Sequence, residues 1–392
     1  MTLLAVLFWI SLFVVFYTYI GYGLLLYGAV KLREALCPRS VPADPDPWPE
    51  VTLLIAAYNE QEVVDEKMRN SLAQEYPADR LRIVWVTDGS NDATNERLAA
   101  WPAAQVLFHP ERQGKTAALN RAFASIDTPL VICTDANTML NTQAVREMVR
   151  LFSDPKVGCV AGEKRVAAAG GGNAAGTEGI YWRYESKLKE WDDRLRSACG
   201  AAGELFAVRR SLFRPVPEDT LLDDFLISMR IVMQDYRIAY STRAYALETP
   251  SADMREEGKR KRRIAAGGLQ AIARLRPLLN PFRYGVFAWQ YVSHRVLRWS
   301  LAPVLLLLLI PLNAVLACCA EHNTAYVVLL VLQAFFYLAA LTGWMLSRRG
   351  VKSRLFYVPY YFLFMNVHVF RGMWYLAAHK GGGAWEKARR AR

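Results

Sequence analysis

Three acidic positions in this chain stand where a ligand could be gripped. Asp88 closes the apolar run "LRIVWV" in the stretch "TDGSNDAT", Asp135 closes a second run in "LVICTDANT", and Asp223 and Asp224 form a pair in "LLDDF". A carboxylate at the mouth of a buried strand can hold a hard cation through its oxygens or take a proton from a substrate hydroxyl. Each could equally be a turn residue or a helix N-cap, and Asp223 with Asp224 could simply stabilise the dipole of the helix "FLISMRIV". Lys115 in "GKTAALN" and the run "GKRKRR" (258–263) add cations that suit phosphate oxygens. A solvated helix face for Lys115 and a headgroup-binding patch for the basic run are the plainer alternatives. "GKTAAL" has too few glycines for a GxxxxGK[ST] loop, which argues against an NTPase.

Those residues need a scaffold that brings them together. From Val51 apolar, β-branched runs ("VTLLIAA", "LRIVWVT", "AQVLFH", "LVICT") alternate with helical patterns ("EQEVVDEKMRNSLA", "NDATNERLAA", "GKTAALNRAFASI", "TQAVREMVRLF"). That order predicts a parallel sheet wrapped by helices. Ligands of open α/β sheets bind beyond the carboxyl ends of the strands, where "AAYNE", "TDGS" and "TDAN" all fall. After Asp154 the rhythm breaks. "AAAGGGNAAGTEG" reads as a flexible loop, "YWRYESKLKEWDDRLRS" as a long amphipathic helix, "GELFAVRR" as a strand and turn, and "YRIAYSTRAYALE" as two strands.

The 392 residues are 53% apolar and carry a net charge of +12. That length fits one soluble domain of about 250 residues plus membrane segments. Met1 to Val30 is uncharged and matches a membrane helix; Trp299 to Ala320 and Ala325 to Ser347 look the same. Leu355 to Ala378 is interrupted by His368 and Arg371, so it either faces protein, lies in the interface or re-enters. Basic residues favour the cytoplasmic side, which puts the amino terminus outside and Lys31 to about Arg298 inside. The basic tail "EKARRAR" conflicts with a simple fourth crossing. The aromatic stretch "FRYGVFAWQYVSHRVLRW" reads as an interfacial helix, with Trp289 or Trp299 open to a sugar-stacking role. His294 and His368 read as packing or hydrogen-bonding residues. The six cysteines show no metal spacing and read as reduced. Membrane-proximal positive charge suits anionic headgroups and phosphorylated substrates; no nucleic-acid-binding motif is present.

Taken together, "AAYNE", "VTDGSND", "GKTAALN", "CTDANT", "LLDDF" and "KRKRRIAAGGLQAI" resemble a membrane-bound family 2 glycosyltransferase of the cellulose, chitin and hyaluronan synthase group. The resemblance implies an α/β, A-type glycosyltransferase (nucleotide-diphospho-sugar transferase) domain inserted between α-helical transmembrane segments. The expected divisions are a transmembrane helix (1–30), a Pro-rich linker (31–50), a cytoplasmic transferase domain (51–280), an interfacial helix (281–298), a membrane region (299–378) and a basic tail (379–392). It implies donor contacts from Tyr58, Glu60, Asp88, Lys115, Asp135 and Arg263, a Mg2+ or Mn2+ ion on Asp135 and Asn137, and Asp224 as the catalytic base. Asp223 and Arg260 fall on the acceptor side. Asn137 replaces the last aspartate of the family's DxD motif, Arg260 the glutamine and Ile264 the tryptophan of its QxxRW motif. The implied activity is inverting transfer of a sugar from a nucleotide sugar, a UDP-sugar by resemblance, to a growing glycan or lipid-linked acceptor in cell-surface polysaccharide synthesis. The implied location is a bacterial inner membrane, among membrane lipids and with room for other polysaccharide-export subunits. The alternative is a catalytically inactive nucleotide-sugar-binding subunit of such a complex.

Overall fold

The computed structural model describes residues 1–37, 42–166, 173–249, 251, 253–319, 324–351 and 353–378. The uncharged amino-terminal run forms helices α1 (Thr2–Phe16) and α2 (Tyr22–Leu36), joined by a π-helical turn at Tyr17–Gly21. Together, Thr2–Leu36 is long and apolar enough to cross a membrane.

The expected alternation follows: β1 (Val51–Ala57), α3 (Val64–Leu72), β2 (Leu81–Asp88), α4 (Thr94–Ala99), β3 (Ala104–His109), α5 (Lys115–Ser125) and β4 (Leu130–Asp135). A short β5 (Thr138–Leu140) and α6 (Ala144–Leu151) come next, then β6 (Val157–Val166), α7 (Asn173–Leu195), β7 (Leu205–Arg209), α8 (Asp223–Val232), β8 (Arg237–Glu248) and α9 (Met254–Arg274). All strands join one sheet of order β3-β2-β1-β4-β7-β6-β8-β5. Successive residues of a strand point to opposite faces. Leu53 and Ile55 therefore pack with Met68, Met148 and Trp85 on one side, and Leu54 with Leu119, Phe123 and Phe225 on the other.

The parallel expectation holds for β3, β2, β1 and β4, and beyond them the sheet is mixed: β7 enters antiparallel, with Leu205 opposite Thr134, while β6 and β8 pair parallel. That reversal brings residues 200–204 to the carboxyl end of β4. The run read as two strands is the single strand β8, with a register shift where it passes Gly162 and Glu163. Strand β6 was not expected from the sequence. Its small residues fit a crowded place, since a Cβ on Gly162 would lie 2.6 Å from Leu205 Cδ2. Of the expected loop, residues 167–172 lie outside the described residues, and from Asn173 the chain is already helical.

The aromatic stretch is broken rather than one helix: α10 (Pro281–Tyr284), α11 (Val286–Tyr291), a π turn at Val292–Val296 and α12 (Leu297–Trp299). Gly285, at φ 51°, makes the first break. Phe287, Tyr291 and His294 are buried against the domain. Beyond it, α13 (Leu301–Cys319) and α14 (Thr324–Arg348) are also long and apolar enough to cross a membrane. Phe8 of α1 packs with Leu309 and Leu316 of α13.

The last helix, α15 (Arg354–Ala378), leans on α9. The Tyr361 hydroxyl donates to Glu257 Oε1 at 3.0 Å, and a Cβ on Gly258 would meet His368 Nε2 at 2.8 Å. Of the two residues that interrupt the apolar run of α15, His368 is thus buried against α9, whereas Arg371 is exposed. The basic tail 379–392 lies outside the described residues.

Candidate active site

The carboxyl ends of β2, β1 and β4 lie side by side, with Ala57 opposite Thr87 and Ala56 opposite Asp135. Just past β1, the Tyr58 ring lies under the Arg112 guanidinium at 4.0 Å, and the Glu60 backbone N–H donates to Thr94 Oγ1 at 2.9 Å. Asp88 is only 4% exposed. Its Oδ2 accepts from the backbone N–H groups of Gln113 (2.9 Å) and Gly114 (2.6 Å), and its Oδ1 accepts from Arg121 (2.8 Å). Its carboxylate therefore pins the loop that starts α5, and it does not line the chamber described below.

At that helix start, Lys115 Nζ donates to Asp135 Oδ1 at 2.6 Å and lies 4.0 Å from Asp223 Oδ2. Gly203, carried in by the antiparallel β7, leaves the space between them. A Cβ there would stand 3.2 Å from Lys115 Nζ and 3.3 Å from Asp224 Oδ2. Lys115, Asp135, Asp223 and Asp224, distant in sequence, thus share one centre. Burial pushes the Asp224 carboxyl up to about 7, the charges of Asp223 and Glu204 push the same way, and Lys115 opposes them. Burial pulls Lys115 down, but Asp135, Asp223 and Asp224 outweigh it and hold the ammonium above its ordinary value. Asp223 Oδ2 is buried with no hydrogen-bond partner. Asn137 sits partly exposed in the turn between β4 and β5 and is not a chamber residue.

Lys67, absent from the sequence reading, braces that turn from behind. It is fully buried and donates to the Thr138 carbonyl (2.6 Å) and to Thr134 Oγ1 (3.2 Å). Burial pulls its ammonium down to about 7, against the pull of Asp135. An isolated lysine in a helix, outside every strand-end motif, carries no sign of this. Only the apolar residues around it hint at burial.

On the α9 side, Arg260 lines the chamber but is committed to carboxylates, at 3.1 Å from Glu204 and 3.6 Å from Glu248. Lys164 bridges the same two glutamates, and Lys164 and Arg260 hold the Glu204 carboxyl well below its ordinary value against the opposing effect of burial. Arg263 also lines the chamber, and its buried Nε has no hydrogen-bond partner. Close packing sets α9 there: a Cβ on Gly267 would meet Leu222 at 2.5 Å, one residue before the acidic pair.

The chamber is a cavity of about 830 Å³. It runs from Lys115, Asp135 and Asp224 to apolar side chains of the membrane helices, among them Leu12, Leu309, Phe336 and Phe362. Where domain meets membrane sits a second buried polar cluster. His294 Nδ1 lies 2.5 Å from Asp192 Oδ2 and its Nε2 3.3 Å from Glu185 Oε2, while the Tyr22 hydroxyl and the Gln290 amide donate to Asp192. Asp192, Cys199 and His294 are close enough to hold a metal ion. Because Asp192 and His294 bond directly to each other, and Tyr22 and Gln290 fill the remaining positions, the cluster is a hydrogen-bonded junction. It ties α2 to α7.

A mixed α/β sheet with acidic groups gathered beyond its parallel strands, between apolar helices, is the A-type glycosyltransferase architecture. Residues 52–216 match the model of glycosyl transferase family 2, and the chain carries a domain of that family. It is 27% identical over 236 residues to poly-beta-1,6-N-acetyl-D-glucosamine synthase of Staphylococcus aureus (strain COL), covering 57% of this chain and 56% of that one. It is 27% identical over 238 residues to the probable glycosyltransferase YdaM of Bacillus subtilis (strain 168), covering 56% and 55%. The chain thus aligns with a little over half the length of these relatives. A mannosyltransferase, PcManGT from Pyrobaculum calidifontis, solved in complex with GDP-Man and Mn2+, shares the fold with a TM-score of 0.71 at 23% identity, over 95% of this chain and 99% of that one.

Proposed function

We propose that this protein is an inverting, metal-dependent glycosyltransferase that moves a sugar from a nucleotide-sugar donor to a lipid-linked acceptor in cell-surface polysaccharide assembly, working at the cytoplasmic face of a bacterial inner membrane. The observation that carries this reading is the continuity of the chamber. One end holds Asp135, Lys115 and Asp224; the other is apolar and lies among membrane helices. An acceptor with a hydrocarbon chain can fill both, whereas a growing glycan would meet Leu309 and Phe336 in place of polar partners.

Tyr58 and Glu60, with Arg112 against the Tyr58 ring, form the edge suited to a nucleoside. Asp88 supports that edge through the 113–114 backbone. The acidic centre fits a divalent cation. Asp135, Asp223 and Asp224 surround one ammonium, and Asp223 Oδ2 is an orphaned buried oxygen. Asp135, with the Asn137 amide oxygen from the same turn, would hold Mg2+ or Mn2+, ions that take oxygen ligands. When bound, such an ion neutralises charge that develops on a diphosphate leaving group. Lys115 and Arg263 offer further compensation at fixed positions. Asp224, close to neutral pH in its affinity for a proton, accepts one from the acceptor hydroxyl. Attack from the face opposite the leaving group gives inversion in one displacement.

The test is purified protein in nanodiscs, screened against UDP- and GDP-sugars with Mg2+ or Mn2+, reading released nucleoside diphosphate and sugar on lipid. Asp224→Asn should lower the rate by ~10²–10⁴. Donor binding without any release, unchanged by Asp224→Asn, would instead favour an inactive nucleotide-sugar-binding subunit.

A further inference from the structure

Besides the acidic centre and the apolar end, the chamber lining carries basic groups from α7 and from the segment that leads to α13. Lys189, on α7, lines the cavity and is 6% exposed. Among the described residues it has no ion pair and no hydrogen bond. Arg298, at the foot of α12, lines the same cavity with an 11% exposed side chain. Its contacts with Glu185 Oε2 and the Thr18 carbonyl are both 3.4 Å long, and its Nη2 is buried with no partner. Arg295 is better satisfied, 2.7 Å from Glu185 Oε1 and donating to the Cys199 carbonyl. Arg295 and Arg298 thus share one carboxylate, Glu185, with Lys189 one turn along α7, while Asp192 is engaged by His294, Tyr22 and Gln290. A buried guanidinium nitrogen with no partner is costly, and such a group marks where an anion belongs. Lys189 is also close enough to the reaction centre for Asp224 to act on its charge.

We infer that Lys189 and Arg298 form an anion site for the phosphate or diphosphate that joins the acceptor's sugar to its lipid. The inference rests on the lipid-linked acceptor proposed above and deepens it. The lipid chain lies among α1, α13, α14 and α15, the anion sits on these basic groups, and the sugar beyond it presents a hydroxyl to Asp224. A base at that place suits a hydroxyl nucleophile, which must lose a proton; a phosphate oxygen needs no such help. The acceptor class is therefore an isoprenoid-type lipid diphosphate or phosphate already bearing at least one sugar.

The experiment compares two lipids with the unaltered protein in phosphatidylcholine nanodiscs: an isoprenyl-diphosphate-linked sugar and an isoprenyl glycoside of the same sugar without phosphate. The charged lipid should show a KM about ten- to hundredfold lower, the worth of a charge-assisted contact. Lys189→Met and, separately, Arg298→Gln should each raise that KM by a similar factor and abolish the preference. Equal use of both lipids by the unaltered protein overturns the anion site while leaving the lipid-acceptor reading in place. A rise in donor KM, with the acceptor KM unmoved, reassigns the two cations to the leaving diphosphate. Loss of the preference when phosphatidylglycerol is added shows a site for bulk headgroups and overturns the inference as well. If the donor is hydrolysed yet neither lipid receives sugar, the acceptor reading itself fails and the inference falls with it.

Discussion

Asp224 offers the sharpest quantitative handle. Its carboxyl is pushed to about 7 by burial and by the neighbouring Asp223, with Glu204 adding and Lys115 subtracting. A base must be ionised to act, so kcat/KM should climb with pH through about 7 and level off above it. With that value, roughly one tenth of the protein is competent at pH 6 and roughly nine tenths at pH 8, a rise of about tenfold. The causes make the limb movable in both directions. Asp223→Asn removes a like charge and should shift it toward acid by about one unit or more, each unit being ~1.4 kcal/mol of like-charge repulsion removed. Lys115→Met removes the opposing cation and should shift it toward base by a similar amount, whatever it does to the absolute rate. The assay is nucleoside diphosphate release at saturating metal, followed from about pH 5.5 to 9 for the three proteins. A flat profile, or both variants moving the limb the same way, would refute the assignment of Asp224 as base and the charge balance around it.

Other changes test the rest of the centre. Asp135→Ala should suppress nucleoside diphosphate release and remove its dependence on Mg2+ or Mn2+, read by titrating the metal. Lys67→Met takes away the two hydrogen bonds behind the Asp135 turn; it should raise the metal concentration for half-maximal rate by about tenfold, as expected for one or two lost buried contacts. Gly203→Ala would set a methyl 3.2 Å from Lys115 Nζ and 3.3 Å from Asp224 Oδ2, and should lower kcat by at least about tenfold without lowering Tm much. Glu204→Gln leaves Lys164 and Arg260 buried with one carboxylate fewer, and should cost about 3–5 kcal/mol, visible as a lower Tm of the solubilised protein.

Several features could be read from the chain alone because they depend on neighbours in sequence. The first strands and helices announce themselves by apolar periodicity; β1 and β3 fall on the residues their patterns mark, Val51–Ala57 and Ala104–His109. The three long apolar helices follow from length and composition. The gathering of Asp135, Lys115 and the Asp223–Asp224 pair was legible too, since strand ends and helix starts of this kind face one edge of an α/β sheet. Tertiary structure decided what depends on which groups meet across the fold. Asp88 looks like Asp135 in sequence, yet the backbone of residues 113–114 and Arg121 fill its carboxylate. Arg260 and Arg263 belong to one basic run; ion pairs occupy the first and leave the Nε of the second unpaired. Lys189 is one charge among many on an amphipathic helix, and only the folding of α7 turns it into a buried cation that lines the chamber. Sequence pattern records which face of an element is apolar. Charge and hydrogen-bond balance belongs to pairs of residues far apart along the chain, and it exists only once the sheet, α9 and the membrane helices close around one chamber.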